Sequence, residues 1–232
     1  MQLTVRDVAG LLSVSEKTIY RWIKDRSIPT YRVNEQYRFH RAELLEWATA
    51  KKVGVSADIF HEAEDPNVPA PTVVEALLAG GIIYRLGGRD VESVLRAVIE
   101  AMHLPEDVNR EQLLRVLIAR EALGSTGVGD GVAIPHVRNP IVLHVPRPIV
   151  ELCFLEHPVE FGALDGKPVY CVFALVSPTV RAHLNLLSRL SFVLRDPNFR
   201  AVLERQGLRD EIVGELRRAE SRLREVGPRL PS

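Results

Sequence analysis

A histidine delivered by a glycine-rich run is the residue in this chain best placed to do chemistry. His136 closes the stretch GSTGVGDGVAIPH, in which Gly124, Gly127, Gly129 and Gly131 allow backbone conformations barred to other residues and Val132 to Ile134 return to strand. The run lacks the Lys-Ser/Thr pair of a nucleotide-binding loop, and a lone histidine is more often structural than reactive. Two further polar residues stand where apolar ones would be expected. Arg120 shares a helical face with Leu113, Leu114 and Leu117, and a guanidinium among leucines is costly unless an anion or acceptor meets it. His183 shares a face with Leu187, Leu190 and Leu194; by itself it reads as a core histidine with a satisfied hydrogen bond.

The elements that must hold these residues alternate. From Val73 onward helical and strand periods follow one another, which predicts an α/β domain rather than a bundle or a sandwich. Asn109 can cap the helix of Arg120, with Gln112 three residues on as in a capping box, and Gly124 ends it. Leu152 to Leu155 and Val169 to Val176 read as buried strands, linked by a stretch holding Asp165-Gly166-Lys167-Pro168. Ser177 and Pro178 then read as the cap and first turn of the helix of His183.

The whole chain of 232 residues is comfortable for two domains, and 46% hydrophobic with 26% charged residues is ordinary globular composition. Its net charge of zero hides an asymmetry. Through Val53 ten bases stand against six acids, +4, which leaves −4 on the remainder. A basic small module on a slightly acidic larger one suits a nucleic-acid reader attached to something else. Between them, Gly54 to Thr72 holds Asp58, Glu62, Glu64, Asp65, Pro66, Pro69 and Pro71 with no Lys or Arg, and reads as a linker. Gly227 to Ser232 reads as a frayed tail. Cys153 and Cys171 sit among apolar residues, and the N-terminus has no charged-then-apolar signal region, so a cytoplasmic location is expected. No apolar run approaches the roughly 20 residues that span a bilayer, so membrane insertion is not expected.

In the basic module Thr4 can cap a short helix with Val5, Val8, Ala9 and Leu12, and Ser15 a second. On the second, Ile19, Trp22 and Ile23 fall on one side and Lys17, Tyr20, Arg21 and Lys24 on the other. Tyr31 to Val33 and Tyr37 to Phe39 are strand-like, separated by Asn34, Glu35 and Gln36, and Glu43 to Ala50 resumes a helix. Most charged helix faces are simply solvated. However, LTVRDVAGLLSVSEKTIYRWIKDRSIP followed by YRFHRAELLEW resembles the excisionase and MerR-like winged helix-turn-helix domains. That resemblance implies DNA binding through Lys17, Thr18, Tyr20, Arg21 and Lys24, as a homodimer, since one copy reads only a few base pairs. Glu35 puts an acid in the wing turn, which weighs against wing contacts to phosphate.

The larger body carries a closer likeness. AREALGSTGVGDGVAIPH, then FGALDGKPVYCVFALVSP and RAHLNLLSRLS, resembles the enzyme IIA domain of the phosphoenolpyruvate-dependent phosphotransferase system, in its mannitol, fructose and nitrogen-regulatory class. The resemblance implies a three-layer α/β domain with a mixed sheet and flanking helices over residues 73–224, preceded by the winged module over 1–53 and a linker over 54–72. It implies that His136 accepts a phosphoryl group from the histidine-containing phosphocarrier protein, with Arg120 and His183 in the pocket. Ser125 and Thr126 would lend amides to the phosphate oxygens. No metal or organic cofactor is expected, because phosphoryl transfer between imidazoles needs positioning and charge stabilisation.

Three functions follow as expectations. Phosphorylation of His136 controls DNA binding and so transcription; or the chain passes its phosphoryl group to a sugar permease subunit; or it acts by binding regulatory target proteins alone. HVRNP after the acceptor and GSTGVGDG before it lean to the nitrogen-regulatory branch.

Overall fold

A computed structural model describes residues 2–33, 36–40, 43, 44, 47, 48, 51, 53, 71–106, 108–137 and 145–225. The chain divides into two compact units, the larger spanning residues 70–222. Most of the linker, the wing turn Asn34-Glu35, the HVRNP stretch after Val137 and the tail lie outside the described residues.

The small unit is built by its caps. Strand β1 (Gln2–Leu3) leads into α1 (Val5–Leu11), whose N-cap Thr4 forms a reciprocal box with Asp7. Helix α2 (Glu16–Lys24) is capped by Ser15. Strands β2 (Tyr31–Val33) and β3 (Gln36–His40) form an antiparallel hairpin, and β1 adds to the far side of β3 with Leu3 opposite Phe39. The β1 pairing is invisible in the sequence, because two residues carry no period. Gln36, read as part of the turn, instead pairs with Val33 as the first residue of β3. Helix is present at residues 43, 44, 47 and 48, and Trp47 meets Trp22 edge to face at 5.1 Å.

The larger unit runs α3 (Val73–Ala79), β4 (Gly81–Leu86), α4 (Val91–Ala101), α5 (Arg110–Ala122), β5 (Gly127–Gly129), β6 (Val132–Ala133), β7 (Ile149–Val159), β8 (Val169–Val176), α6 (Val180–Val193), α7 (Pro197–Glu204) and α8 (Arg209–Glu225). Its sheet has the order β4-β7-β8-β6-β5 and is mixed: β4 with β7 and β6 with β8 are parallel, the other pairs antiparallel. Strand alternation splits the core in two. Ile149, Cys153 and Leu155 pack with Val94, Val98, Leu113 and Leu117 of α4 and α5, while Val150, Leu152 and Phe154 pack with α3, α6, α7 and α8. Cys153 and Cys171 therefore face opposite layers, both free thiols, and burial pushes both above the ordinary thiol range. No helix among the described residues is long and apolar enough to cross a membrane.

Three local expectations need correction. The cap of α6 is Thr179, whose hydroxyl accepts from Ala182 N at 3.1 Å, so Ser177 and Pro178 precede the helix. Asn109 does cap α5 through Gln112 N at 2.9 Å, but the reciprocal half of the box is not formed. The glycine run, expected to return to strand at Val132, is already strand from Gly127 and forms a β5–β6 hairpin: Asp130 and Gly131 turn it with φ of 53° and 74°. A Cβ on Gly131 would lie 2.4 Å from the Tyr170 ring, so only glycine fits there.

Among the described residues three carboxylates of the domain are buried, Glu151, Asp196 and Glu220. Glu220 of α8 accepts from Val73 N at 2.8 Å and Val74 N at 3.3 Å, satisfying amides that α3 leaves open at its start. Its other partner is Arg189 of α6 at 3.1 Å. One side chain thus ties together three elements of a single layer, and removing it would open two amide contacts and an ion pair at once.

Glu151 is the opposite case. It is fully buried in β7 on the α4–α5 side, and neither carboxyl oxygen has a hydrogen-bond partner among the described residues. Burial pushes its carboxyl from the ordinary 4.5 up to about 6, with His103 pulling the other way. The folded state therefore binds the proton more tightly than the unfolded chain. The resulting stability is complete below about pH 4.5 and lost as pH rises through 6. Over that window the loss is about 2 kcal/mol. Glu151→Gln is expected to exceed the parent by about that amount in urea melts at pH 7.5, with the difference vanishing near pH 4.5; a pH-independent difference would refute the assignment.

Candidate functional site

The end of β6 and the start of α6 bring two imidazoles together. Beyond Ala133 the chain stays alongside β8: Leu175 N donates to Pro135 O at 2.9 Å, and His136 bridges Leu175 in parallel register. His136 Nδ1 lies 2.7 Å from the carbonyl oxygen of Ile134. A carbonyl can only accept, so Nδ1 carries the proton and the lone pair of the neutral ring is on Nε2. His183 stands in the second turn of α6, with its ring centroid 5.1 Å from that of His136 and the planes tilted by 41°. Both rings are buried.

Arg120 is buried on α5, and its Nη1 donates to Gly124 O at 2.7 Å. The acceptor demanded by a guanidinium among leucines thus includes the first carbonyl of the segment that leads to His136. Next to it, Glu121 was not singled out from the sequence, yet it holds the other end of the same turn. Its Oε1 accepts from Thr126 N at 2.8 Å and its Oε2 from Thr126 Oγ1 at 2.6 Å. A carboxylate beside Arg120 and five residues before a threonine was the available signal. The Ser125 hydroxyl donates to Phe161 O and accepts from Gly127 N at 2.9 Å. Both donors of Thr126 are therefore engaged by Glu121 in this state, and the Ser125 hydroxyl proton is engaged by Phe161.

In the small unit Lys17, Tyr20, Arg21 and Lys24 are exposed along one face of α2, while Ile19 is buried. Thr18 differs. It is half-buried, its hydroxyl lies 3.0 Å from Ser15 Oγ and its amide donates to that same oxygen, so it belongs to the helix cap. The hairpin adds Arg32, which the sequence did not flag. Arg32 lies over the Tyr37 ring at 4.8 Å and donates to its hydroxyl at 2.9 Å, and Tyr37 meets Tyr20 edge to face at 6.2 Å. A basic and aromatic surface thereby runs from α2 onto the hairpin.

A mixed sheet between two helical layers, with paired histidines beside a glycine-rich hairpin, defines a class, and comparison with known families agrees. Residues 77–218 match the family described as phosphoenolpyruvate-dependent sugar phosphotransferase system, EIIA 2, and residues 3–52 match a helix-turn-helix domain family. The chain belongs to that EIIA family and carries a helix-turn-helix domain ahead of it. Among its relatives is a nitrogen regulatory protein of Pseudomonas aeruginosa, 34% identical over 142 residues, covering 60% of this chain and 84% of the relative. A fructose-specific EIIABC component of Bacillus subtilis is 28% identical over 144 residues, covering 61% of this chain and only 22% of that longer protein. The crystal structure of nitrogen regulatory protein IIA-Ntr from Neisseria meningitidis aligns with a TM-score of 0.52 at 30% identity, covering 58% of this chain and 92% of that one.

The ring geometry has a direct readout. Nitrogen-15 NMR of the histidine side chains at pH 8 is expected to show His136 as the Nδ1–H tautomer, with a protonated-type shift at Nδ1 and a lone-pair shift at Nε2. A majority of the Nε2–H form would contradict the hydrogen bond to Ile134 O.

Proposed function

We propose that this chain is a phosphohistidine-carrying regulator of the nitrogen-regulatory IIA kind, in which the phosphorylation state of His136 controls DNA binding by the N-terminal module. The observation that carries the reading is the His136 ring, whose Nδ1 is hydrogen-bonded to Ile134 O, which puts the lone pair of the neutral ring on Nε2. In the proposed step Nε2 forms a bond to phosphorus as the phosphohistidine N–P bond of the histidine-containing phosphocarrier protein breaks. No metal or organic cofactor takes part. Arg120, His183 and amides at Ser125 and Thr126 stabilise the equatorial oxygens in the transition state. The Thr126 amide takes part as a shared donor, while the Thr126 hydroxyl stays on Glu121.

The partner's docking surface is supported by apolar side chains in the segments that build the site. Leu123 ends α5, Leu164 follows the Phe161 that accepts from Ser125, and Val180 opens the helix of His183, with exposures of 70%, 61% and 38%. Apolar rims of this kind suit a protein partner in transient contact.

Regulation is the reading favoured by the helix-turn-helix match and the basic face of α2. A phosphoryl group adds about −1.5 to −2 charges near neutral pH, enough to repack a site of polar contacts. In this proposal the units are residues 1–53, a linker over 54–72 and a phosphoacceptor domain over 73–224, the protein is cytoplasmic, and Lys17, Tyr20, Arg21 and Lys24 meet DNA as a homodimer. The transport reading, delivery to a sugar permease subunit, is supported by the likeness to the fructose-specific component. A third reading, binding to regulatory target proteins alone, predicts no affinity for DNA.

Radiolabel from phosphoenolpyruvate, passed through the general phosphotransfer proteins, is expected to reach the parent and to be absent from His136→Ala. Arg120→Ala and His183→Ala should slow labelling by about 10- to 1,000-fold and keep the acceptor. Acid-labile label retained by His136→Ala would refute the acceptor assignment. In gel shifts on the protein's own upstream DNA, phosphorylated and unphosphorylated protein are expected to differ; identical binding to every DNA tested would reject the regulatory reading.

A further inference from the structure

We infer that Glu121 is a positioning residue for the His136 imidazole, acting through Thr126 and Ile134; the inference rests on His136 being the phosphoryl acceptor. Four hydrogen bonds connect them in three successive links. The Glu121 carboxylate accepts the amide and the hydroxyl of Thr126 at 2.8 and 2.6 Å. The Thr126 carbonyl accepts Ile134 N–H at 3.0 Å, and the Ile134 carbonyl accepts the Nδ1–H of His136 at 2.7 Å. A charge on helix α5 is thereby linked to the orientation and tautomer of a ring that follows β6.

The arrangement has a reason in the chain between. Gly124 takes a φ of 149°, a conformation open to glycine, and the same freedom that lets the turn form lets it wander. Arg120 and Glu121 secure its two ends with opposite chemistry: a cation donates to the Gly124 carbonyl, and an anion accepts two donors from Thr126. Ionised groups make the shorter and stronger hydrogen bonds, and a carboxylate is acceptor-only, so it can take both of Thr126's donors without rearrangement. With the anchor gone, Thr126 is free to rotate, its carbonyl no longer holds Ile134 N–H in line, and the Ile134 carbonyl loses its aim at Nδ1. The ring then populates the Nε2–H tautomer, which has no lone pair where phosphorus arrives.

Glutamine is the discriminating substitution. Its amide offers one acceptor and one donor group, and the Thr126 hydroxyl can reverse to accept, so Glu121→Gln preserves both contacts while Glu121→Ala loses both. Two readouts on the full chain test this. Nitrogen-15 NMR at pH 8 is expected to show the Nε2–H form of His136 rising in Glu121→Ala and staying low in Glu121→Gln. Labelling by phosphorylated carrier protein is expected to fall by about 10- to 100-fold in Glu121→Ala and to stay within about threefold of the parent in Glu121→Gln. An unchanged His136 tautomer in folded Glu121→Ala overturns the inference, as does an equal loss of rate in the Ala and Gln variants. Thr126→Val keeps the shape and the amide while removing one donor, so it is expected to give an intermediate tautomer shift. If Glu121→Ala does not fold, an unchanged tautomer in folded Thr126→Val overturns the inference in its place. The tautomer shift stands apart from phosphorylation: label retained by His136→Ala would remove the acceptor role and leave the NMR comparison to decide the hydrogen-bond relay alone.

Discussion

The hydrogen bond between Ile134 O and His136 Nδ1 is a small interaction on which a large amount of structure converges. In isolation it contributes on the order of 1 kcal/mol. Its importance is directional, because it decides which of two chemically similar nitrogens offers electrons. The carbonyl is aimed by its place after β6, which is held in parallel register against β8, and β8 lies near the middle of the sheet with both faces covered. The hairpin before it closes on Asp130 and Gly131, and Tyr170 leaves no room there for a side chain on the glycine. The core therefore does more than stabilise the domain. It fixes the backbone oxygen that meets Nδ1 of His136.

The two layers share the work unequally. The α4–α5 side carries Arg120 and Glu121, which secure the turn before β5, and Glu151, whose buried carboxyl has no hydrogen-bond partner among the described residues and is held protonated more readily than usual. The opposite layer carries His183 on α6, the Arg189–Glu220 pair that binds α6 and α8 to the start of α3, and Asp196, which caps α7 and receives Arg218 and Arg222 from α8. The helix that bears His183 is thus coupled by a buried ion pair to the first turn of the domain, the turn that follows residues 54–72.

Much of this was legible in the residues and their spacing. The long periodic features read through: β8 has the bounds expected of it, the leucine face of α5 is where its period puts it, and the caps Thr4, Ser15 and Asn109 act as their types suggest. What escaped was short or relational. Strand β1 has two residues and exists only because β3 offers an edge to it. Ser177 was a plausible cap, but Thr179 is the residue whose hydroxyl meets an open amide. The nearness of His136 to His183 joins residues far apart in sequence, and the motif resemblance supplied it before geometry did. Glu121 sat inside a quoted motif without drawing notice, since nothing in a sequence says which threonine a carboxylate will face.

Cys153 and Cys171 occupy adjacent rows of neighbouring strands and yet point into different layers. Geometry forbids a disulfide between them without flipping a strand, and burial keeps both thiols protonated and out of reach of peroxides. The interior of this sheet is in this way closed to thiol chemistry.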